Sequence, residues 1–529
     1  MRLKRSRLCR RRHHLPRCPS GRLRSSTFIP FLALLFPFLT MDSFRMPVGI
    51  ERLPPELQQT ILDLVFNKKP PVRRVPGETP RSRVPQPREP LLILARVRPQ
   101  WRAIIQGRLY CHIRIEASAA GLSECKEWFT EHPHLGEHVK HIEFWLPIWG
   151  ALNPDGRDPA GPPRKMTAIM TSDGVLRFTG RVKYPNAQCN PSLNEIFRIV
   201  KRLFPSADTF TIDGGEKHQT RPVETMFDLD SSDRAILLPL TKLDQIGTFV
   251  MRGAWNLVRN WGTWREIEEA LPNMTEFHCV YAHAHNGGYM TTSCLAANFP
   301  VKLEHLNLTL EGFSDKRDNI HNHVLKPILM PICESLGVAA FQLETLTLTG
   351  RFCFDLFRSL ICQARRVNAG ISPLRSIDIT VKGCCLHELV LDEYGNHRLV
   401  THQLAGVNNM QFIREFHSLV CEGLRALRVL PNVKYLRIRF IDMDSQLPLQ
   451  NPYFELKGDR CTGLWSDPIT EELAICRPWA SFVELSDGIE PLYENGALVD
   501  VQPLRFRPLS IRARQYTILE KLDRLHSEQ

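Results

Sequence analysis

The sequence predicts an α/β protein in which a small all-helical module precedes a long, irregular α/β solenoid. Short segments with the spacing apolar-x-x-apolar-x-apolar recur in the second part of the chain, amphipathic segments lie between several of them, and prolines mark the joints. The chain has 529 residues, of which 43% are hydrophobic and 23% charged, so it can bury a sizeable core and exceeds one ordinary domain. We therefore divide it into residues 1–45, 46–118 and 119–529.

Residues 1–45 are predicted to be a disordered basic and apolar extension. Residues 1–24 contain ten basic residues and no acid, and a mostly apolar stretch follows at 28–39. Those twelve residues are too few to span a bilayer, and Pro30 and Pro37 interrupt them. We expect an upstream extension of the gene model, with synthesis starting at Met41 or Met46. An organellar presequence and a secretory signal stay open as alternatives.

Charge and cysteine content exclude several classes of partner. Ten of the twelve net positive charges lie in residues 1–24, whereas a nucleic-acid footprint should lie on the folded domain. Fifteen cysteines, an odd number without a Cys-x-x-Cys pair, are typical of reduced thiols. We therefore expect a protein of the cytoplasm or nucleus that binds neither nucleic acid nor membrane.

The helical module runs from residue 51 to residue 115 as two amphipathic pieces, 51–66 and 91–115. They are separated by the insert 67–90, which contains seven prolines and should be extended. Pro54 and Pro55 suit a first helical turn, where their missing N–H groups cost nothing. Pro99 can likewise begin a further helix, which carries Trp101, Ile104 and Ile105.

This order of residues resembles an F-box, the helical module that connects a substrate receptor to a ubiquitin ligase. The matching residues are Leu53, Pro54, Glu56, Leu57, Ile61, Leu62, Leu64, Leu94, Val97 and Trp101. The resemblance implies that they dock on the small Skp adaptor, and through it on a cullin, by inserting an apolar helix face into a groove. Arg98, Pro99 and the insert 67–90 depart from the family pattern. The alternative is a helical subdomain that packs only on its own chain.

Residues 119–529 contain the repeated strand pattern. The full spacing occurs at 139–144, 303–308, 343–348, 374–379 and 433–438, with looser copies at 207–212 and 274–279. Such alternation predicts strands. Capping boxes at Ser192–Glu195 and Thr263–Glu266 predict two of the intervening helices, and further apolar helix faces occur within 356–361 and 412–420.

The joints and the spacing of the repeats indicate a solenoid. Pro205, Pro272, Pro373 and Pro431 each precede a predicted strand, and strand starts lie about 30–40 residues apart. This part resembles the leucine-rich-repeat-like domains of large, divergent fungal F-box proteins, although it lacks the Asn or Cys that follows each strand in leucine-rich repeats. We predict a long loop at 147–190, irregular structure at 442–510 and a closing helix at 515–529.

The candidate metal-ligating and catalytic residues do not form a recognisable site motif in the sequence. The metal-like fragments are Cys384-Cys385-Leu-His387, His283-Ala-His285 and His321-Asn-His323, and none has a second pair at a suitable distance. Nucleotide-binding and nucleophile-elbow motifs are absent. We therefore expect no catalytic residue, no cofactor and no metal. The expected function is that of a substrate receptor for a protein target, with a non-catalytic scaffold outside any ligase as the alternative.

Overall fold

A computed structural model describes most of the predicted repeat region and part of the helical module. The described residues are 53–54, 56–58, 60, 99–146, 167–170, 176–179, 191–214, 239–258, 261–281, 299–300, 302–310, 332–367, 372–391, 397–442 and 447–528. The chain divides into two compact units, residues 1–72 and 73–529. The described residues form a mixed α/β structure, as predicted. The predicted extension 1–45 and insert 67–90 lie outside them.

In the first unit, residues 56–58 form a helical turn directly after Pro54. The backbone N–H groups of Leu57 and Gln58 donate to the Pro54 carbonyl at 3.0 and 3.1 Å. The Gln58 amide donates to the Leu53 carbonyl at 2.8 Å, and Gln58 is buried. Proline is compatible with this position because the first turn leaves its N–H groups without helical partners.

The second unit contains helices and strands in alternation over much of its length. Its described helices are α1 (Pro99–Tyr110), α2 (Ala119–Glu131), α3 (Pro133–Gly136), α4 (Leu193–Leu203), α5 (Ala254–Leu257), α6 (Trp261–Ala270), α7 (Ile332–Ala340), α8 (Asp355–Val367), α9 (Met410–Val429), α10 (Asp467–Cys476) and α11 (Tyr516–Glu528). Its strands are β1 (His112–Glu116), β2 (His141–Trp145), β3 (Thr167–Met170), β4 (Leu176–Thr179), β5 (Thr209–Asp213), β6 (Thr248–Arg252), β7 (Glu276–Tyr281), β8 (His305–Leu310), β9 (Thr345–Arg351), β10 (Ser376–Leu391), β11 (His397–Leu404), β12 (Tyr435–Phe440), β13 (Tyr453–Lys457), β14 (Arg460–Trp465), β15 (Ser481–Phe482), β16 (Pro491–Glu494), β17 (Ala497–Val501) and β18 (Ser510–Arg512). None of these helices is long and apolar enough to cross a bilayer.

Fourteen of the strands join in one sheet. Its path is β1-β2-β5-β6-β7-β8-β9-β10-β12-β13-β14-β15, with β11 on β10 and β18 on β14. From β1 to β12 every neighbour on this path is parallel, and each new strand joins the same edge in chain order. Crossovers of one hand that always advance toward the same edge place their helices on one face of the sheet.

Side-chain alternation gives the sheet one apolar and one polar face. Ring contacts join helices to the apolar face: Phe197 of α4 lies 5.3 Å from Phe210 of β5, and Trp264 of α6 lies 4.9 Å from Phe277 of β7. The buried core runs continuously through these helices and strands. Burial of this stripe supplies the main driving force for folding, at about 25 cal/mol for each Å² of apolar surface removed from water.

The helices of the second half also pack on one another, with α7 against α8, α8 against α9 and α9 against α10. Gly337 lies where α7 meets α8. A Cβ at this position would lie 2.2 Å from the Leu356 carbonyl oxygen, so the helices can approach this closely only because the residue is glycine.

Most predicted repeat elements are present near their expected positions. The first apolar residue of each full strand pattern is buried just before the strand, and the strand starts two residues later, as in Val139 before β2 and Leu303 before β8. The Ser192 cap of α4 is confirmed, because its side chain accepts from the Glu195 N–H. The second capping box was wrong: α6 starts at Trp261, so Thr263 lies inside the helix.

Two segments predicted to lack regular structure contain strands. Within 147–190, β3 and β4 form an antiparallel pair. Within 442–510, β13 and β14 extend the main sheet antiparallel, α10 follows, and β16 and β17 form a separate hairpin. The predicted closing helix at 515–529 is confirmed as α11.

Candidate functional site

The residues that match an F-box are partly described. Leu53 and Pro54 directly precede the helical turn of the first unit, and Glu56 and Leu57 lie in it, where Leu57 is 49% exposed. Trp101 lies on α1, which starts at Pro99 as predicted. The matching residues outside the described part of the chain are Ile61, Leu62, Leu64, Leu94 and Val97.

The polar face of the sheet is the surface that the strand order assembles. We define it by two neighbouring registers across the parallel strands. The first register contains His112, His141, Thr209, Thr248, Glu276, His305, Thr345, Ser376 and Tyr435. The second contains Arg114, Glu143, Thr211, Val250, His278, Asn307, Thr347, Asp378 and Arg437. Parallel strands covered on both faces are usually apolar throughout, so this alternation marks a sheet with two different faces.

At the β1 end of the polar face, Glu143 is fully buried among cations. Its Oε1 accepts from Arg114 Nε at 3.1 Å and from Arg252 Nη1 at 3.2 Å. Arg114 also reaches Asp213 at 3.2 Å. A carboxylate can be buried in this way because the charged hydrogen bonds compensate for the lost hydration. The cluster ties β1, β2, β5 and β6 together across their polar side.

Two histidines adjoin this cluster. The rings of His112 and His141 stack at 3.9 Å, and His141 Nε2 lies 2.7 Å from Thr211 Oγ1. His112 Nε2 lies 3.4 Å from Glu143 Oε2. The donor atoms of His112, His141 and Glu143 lie within 4.8 Å of one another, which is a possible two-histidine, one-carboxylate metal set. Parallel ring stacking and two guanidinium groups on the same carboxylate fit a hydrogen-bonded charge cluster better than cation binding.

Farther along the face, a second buried acid contacts an imidazole. Glu276 Oε1 lies 2.8 Å from His278 Nε2, and Glu276 Oε2 accepts from Thr248 Oγ1 at 3.0 Å. Both Glu276 and His278 are buried. These contacts position the carboxylate within the sheet and satisfy its oxygens, as buried polar groups require.

From β8 to β12 the polar face is half-buried and rich in hydroxyl groups. Arg437 forms a bidentate ion pair with Asp378, whose hydrogen bond raises the pKa of the guanidinium. Arg439 donates to Thr380 Oγ1 at 3.0 Å. Two arginines, hydroxyls and the Tyr435 ring can contact a polar protein surface by hydrogen bonding and cation–π stacking.

A histidine on α9 contacts a serine and a cysteine, and the sequence predicted none of these three residues as part of a site. His417 Nε2 lies 2.7 Å from Ser466 Oγ, and its ring nitrogens lie 3.9 Å from Cys421 Sγ. Burial lowers the pKa of His417 and raises the pKa of Cys421 to about 11. Ser466 Oγ also accepts from the Ile469 N–H as the cap of α10. Ser466 therefore connects α9 to α10, and Cys421 stays a protonated thiol at neutral pH.

The metal-like fragments of the sequence are only partly described. Cys384 and His387 lie on β10, and Cys384 is buried in the core, where burial raises the pKa of its thiol. Deprotonation, which metal binding requires, is unfavourable for such a thiol. The histidine pairs at 283/285 and 321/323 lie outside the described residues.

Comparison of the chain with protein-family models, with curated proteins and with solved structures finds no match. The functional assignment therefore depends on the residues and on the geometry of the polar face.

Proposed function

We propose that the chain is the substrate-recognition subunit of a Skp–cullin–F-box type ubiquitin ligase. The observation that carries the proposal is the order of parts: an F-box-like motif at 51–115 leads through α1 into a sheet whose parallel strands follow chain order. We assign the motif to a helical F-box module and the sheet to an irregular leucine-rich-repeat-like solenoid. Helices on one face and strands on the other are the arrangement expected of such repeats.

An exposed apolar residue in the described part of the first unit supports adaptor docking. Leu57 belongs to the opening motif and has about half of its surface exposed. An isolated exposed leucine is common, but here it occupies a motif position that inserts into a partner groove. Leu57 would be an anchor, with Glu56 as a charged residue at the rim.

The polar face supports the second half of the proposal, which is recognition of a protein target. Its β8–β12 part carries half-buried hydroxyls, Asp378, Arg437 and the Tyr435 ring. Tyrosine and arginine are enriched among the residues that dominate binding energies. The chain itself would contribute proximity, and the ubiquitin-conjugating enzyme would carry out the chemistry.

One observation favours the alternative, an interaction scaffold outside any ligase. On α1, Ile105 is buried, and this helix contacts both β1 and α3. The second piece of the motif thus already covers the end of the sheet, as a solenoid cap does. In this alternative the second piece of the motif serves only as a cap, and no adaptor binds.

Co-purification with the Skp adaptor distinguishes the two functions. We expect the wild-type chain to recover the adaptor and Leu57→Asp to weaken recovery at least tenfold, because a charge would enter an apolar groove. Leu525→Asp is the matched control, since Leu525 on α11 is exposed to a similar degree. Failure of the wild-type chain to recover the adaptor, or equal recovery by both variants, would refute the ligase role and leave the scaffold.

A further inference from the structure

Exposed apolar side chains are concentrated near the C-terminal end of the main sheet. Fourteen large apolar residues are exposed in the described part of the chain, and nine of them lie between residues 475 and 509, so their distribution is far from even. These nine are Ile475, Trp479, Val483, Leu485, Leu492, Tyr493, Val499, Phe506 and Leu509. Contiguous exposed apolar surface is typical of interaction sites.

Hydrogen bonds hold the segments that carry these residues side by side. The Ser486 N–H donates to Ser510 Oγ at 2.7 Å, which brings the neighbouring Leu485 and Leu509 to the same edge. The Gln502 N–H donates to the Glu490 carbonyl at 2.8 Å and closes the base of the β16–β17 hairpin. Residues 483–510 thus form one folded segment, and we name its exposed surface the edge surface.

The hairpin is held in place by packing on its inner side and by a tight turn. Val501 and Ile489 are buried, and β17 packs on α11. At the tip, Asn495 and Gly496 have φ values of 51° and 81°, as a two-residue Asn-Gly turn requires. Tyr493 is nevertheless 62% exposed. A folded element that presents an aromatic ring to solvent loses little entropy when a partner covers that ring.

The edge surface is also acidic, although the chain as a whole is basic. Its carboxylates are Glu484, Asp487, Glu490, Glu494 and Asp500, and residues 478–504 contain no Lys or Arg. Of the arginines that follow, Arg505 is exposed and offsets one of the five carboxylates, whereas Arg507 and Arg512 are engaged within the chain. Arg507 lies over the Tyr453 ring and donates to the Asn451 carbonyl, and Arg512 lies over Trp465.

We propose that the edge surface is a docking site for a partner-protein segment that carries apolar residues interleaved with Lys or Arg. The exposed side chains around Tyr493 bind its apolar residues, and Glu490, Glu494 and Asp500 bind its cations. Charge complementarity selects this occupant, because an acidic surface repels nucleic acid and anionic lipid. The proposal does not depend on adaptor docking.

Selection of random 12-residue peptides displayed on phage, with the full chain as bait, tests the proposal. We expect the selected peptides to combine Lys or Arg with apolar residues, and a fluorescein-labelled one to bind less tightly as salt is raised. Binding measured by fluorescence anisotropy should weaken at least tenfold in Tyr493→Ser and in the double variant Glu494→Lys with Asp500→Lys. All three positions are exposed, so the fold should survive, as a thermal melt can verify.

Trp128→Ser on α2 is the matched control, because Trp128 is another exposed aromatic residue, and this variant should bind within twofold of wild type. Failure to select any peptide, selection of peptides without cations, or unchanged binding by both edge-surface variants would overturn the proposal. A dimer in light scattering that Tyr493→Ser dissociates would also overturn it, because the occupant would then be a second copy. Adaptor recovery by Tyr493→Ser should equal wild type, which separates this test from the test of the ligase role.

Discussion

Replacement of Arg477 by methionine should destabilise the end of α9, the longest described helix. Arg477 is buried directly after α10, and its guanidinium donates to four carbonyls. Three belong to the end of α9 and the joint that follows: Leu427 at 2.9 Å, Leu430 at 3.1 Å and Val433 at 3.2 Å. The Leu427 carbonyl is one of the last four of the helix, which have no intrahelical partner, while the Leu430 carbonyl also accepts from the Val433 N–H at 3.3 Å. The positive charge also complements the helix dipole.

The magnitude follows from these three contacts. A buried acceptor left unsatisfied costs roughly 1–3 kcal/mol, and of the three carbonyls that of Leu430 keeps a second donor. Methionine keeps most of the apolar contact but donates nothing, so we expect Arg477→Met to lower the free energy of unfolding by about 3 kcal/mol. Arg505→Met is the control, because Arg505 is exposed on the neighbouring loop, and its effect should stay within about 0.5 kcal/mol.

Urea unfolding followed by circular dichroism measures the difference, and hydrogen exchange locates it. The backbone amides of residues 425–433 should exchange faster in Arg477→Met, while those of α4 should keep their protection. Equal unfolding midpoints for the two variants, or faster exchange spread evenly over the chain, would refute the assignment of Arg477 as the cap of α9.

Two further predictions concern the polar face and the buried thiols. Glu143→Gln should lower the free energy of unfolding by about 2–3 kcal/mol, because the guanidinium groups around Glu143 lose their counter-charge although they still reach solvent. In the same urea titration the control Glu269→Gln, which breaks an exposed ion pair, should cost less than 1 kcal/mol. Burial raises the pKa of Cys279 and Cys461 to about 12, against about 8.5 for an unfolded thiol, so the folded chain binds more protons between these values. The two protonated thiols therefore make their full contribution to the free energy of unfolding below pH 8.5, and this contribution is lost as the pH rises toward 12. At pH 8 a thiol reagent should modify the exposed Cys362 in the folded chain but Cys279 only after unfolding, and modification of Cys279 at the rate of Cys362 would contradict the burial argument.

Local spacing was sufficient to predict most of the repeat elements. Strand patterns at 303–308 and 343–348 became β8 and β9, because period-2 alternation directly specifies which side chains face the core. The same spacing occurs at Ile246, just before β6, and at Phe249 and Met251 within it, so the sequence also carried a signal for this unpredicted strand. The irregular composition of 442–510 gave no comparable signal, and its antiparallel strands were missed.

The sequence by itself determined the α/β class and the helix-to-strand joints at prolines, because each depends on residues close together in the chain. Only the tertiary structure decided which polar residues meet. Arg252 reaches Glu143 across 109 positions, and Arg477 reaches Leu427 across 50. Such contacts arise from strand order and helix packing, which alternation does not encode. The edge surface is a further example, because its apolar residues cannot be distinguished from core residues in the sequence, and only the fold shows that they are exposed.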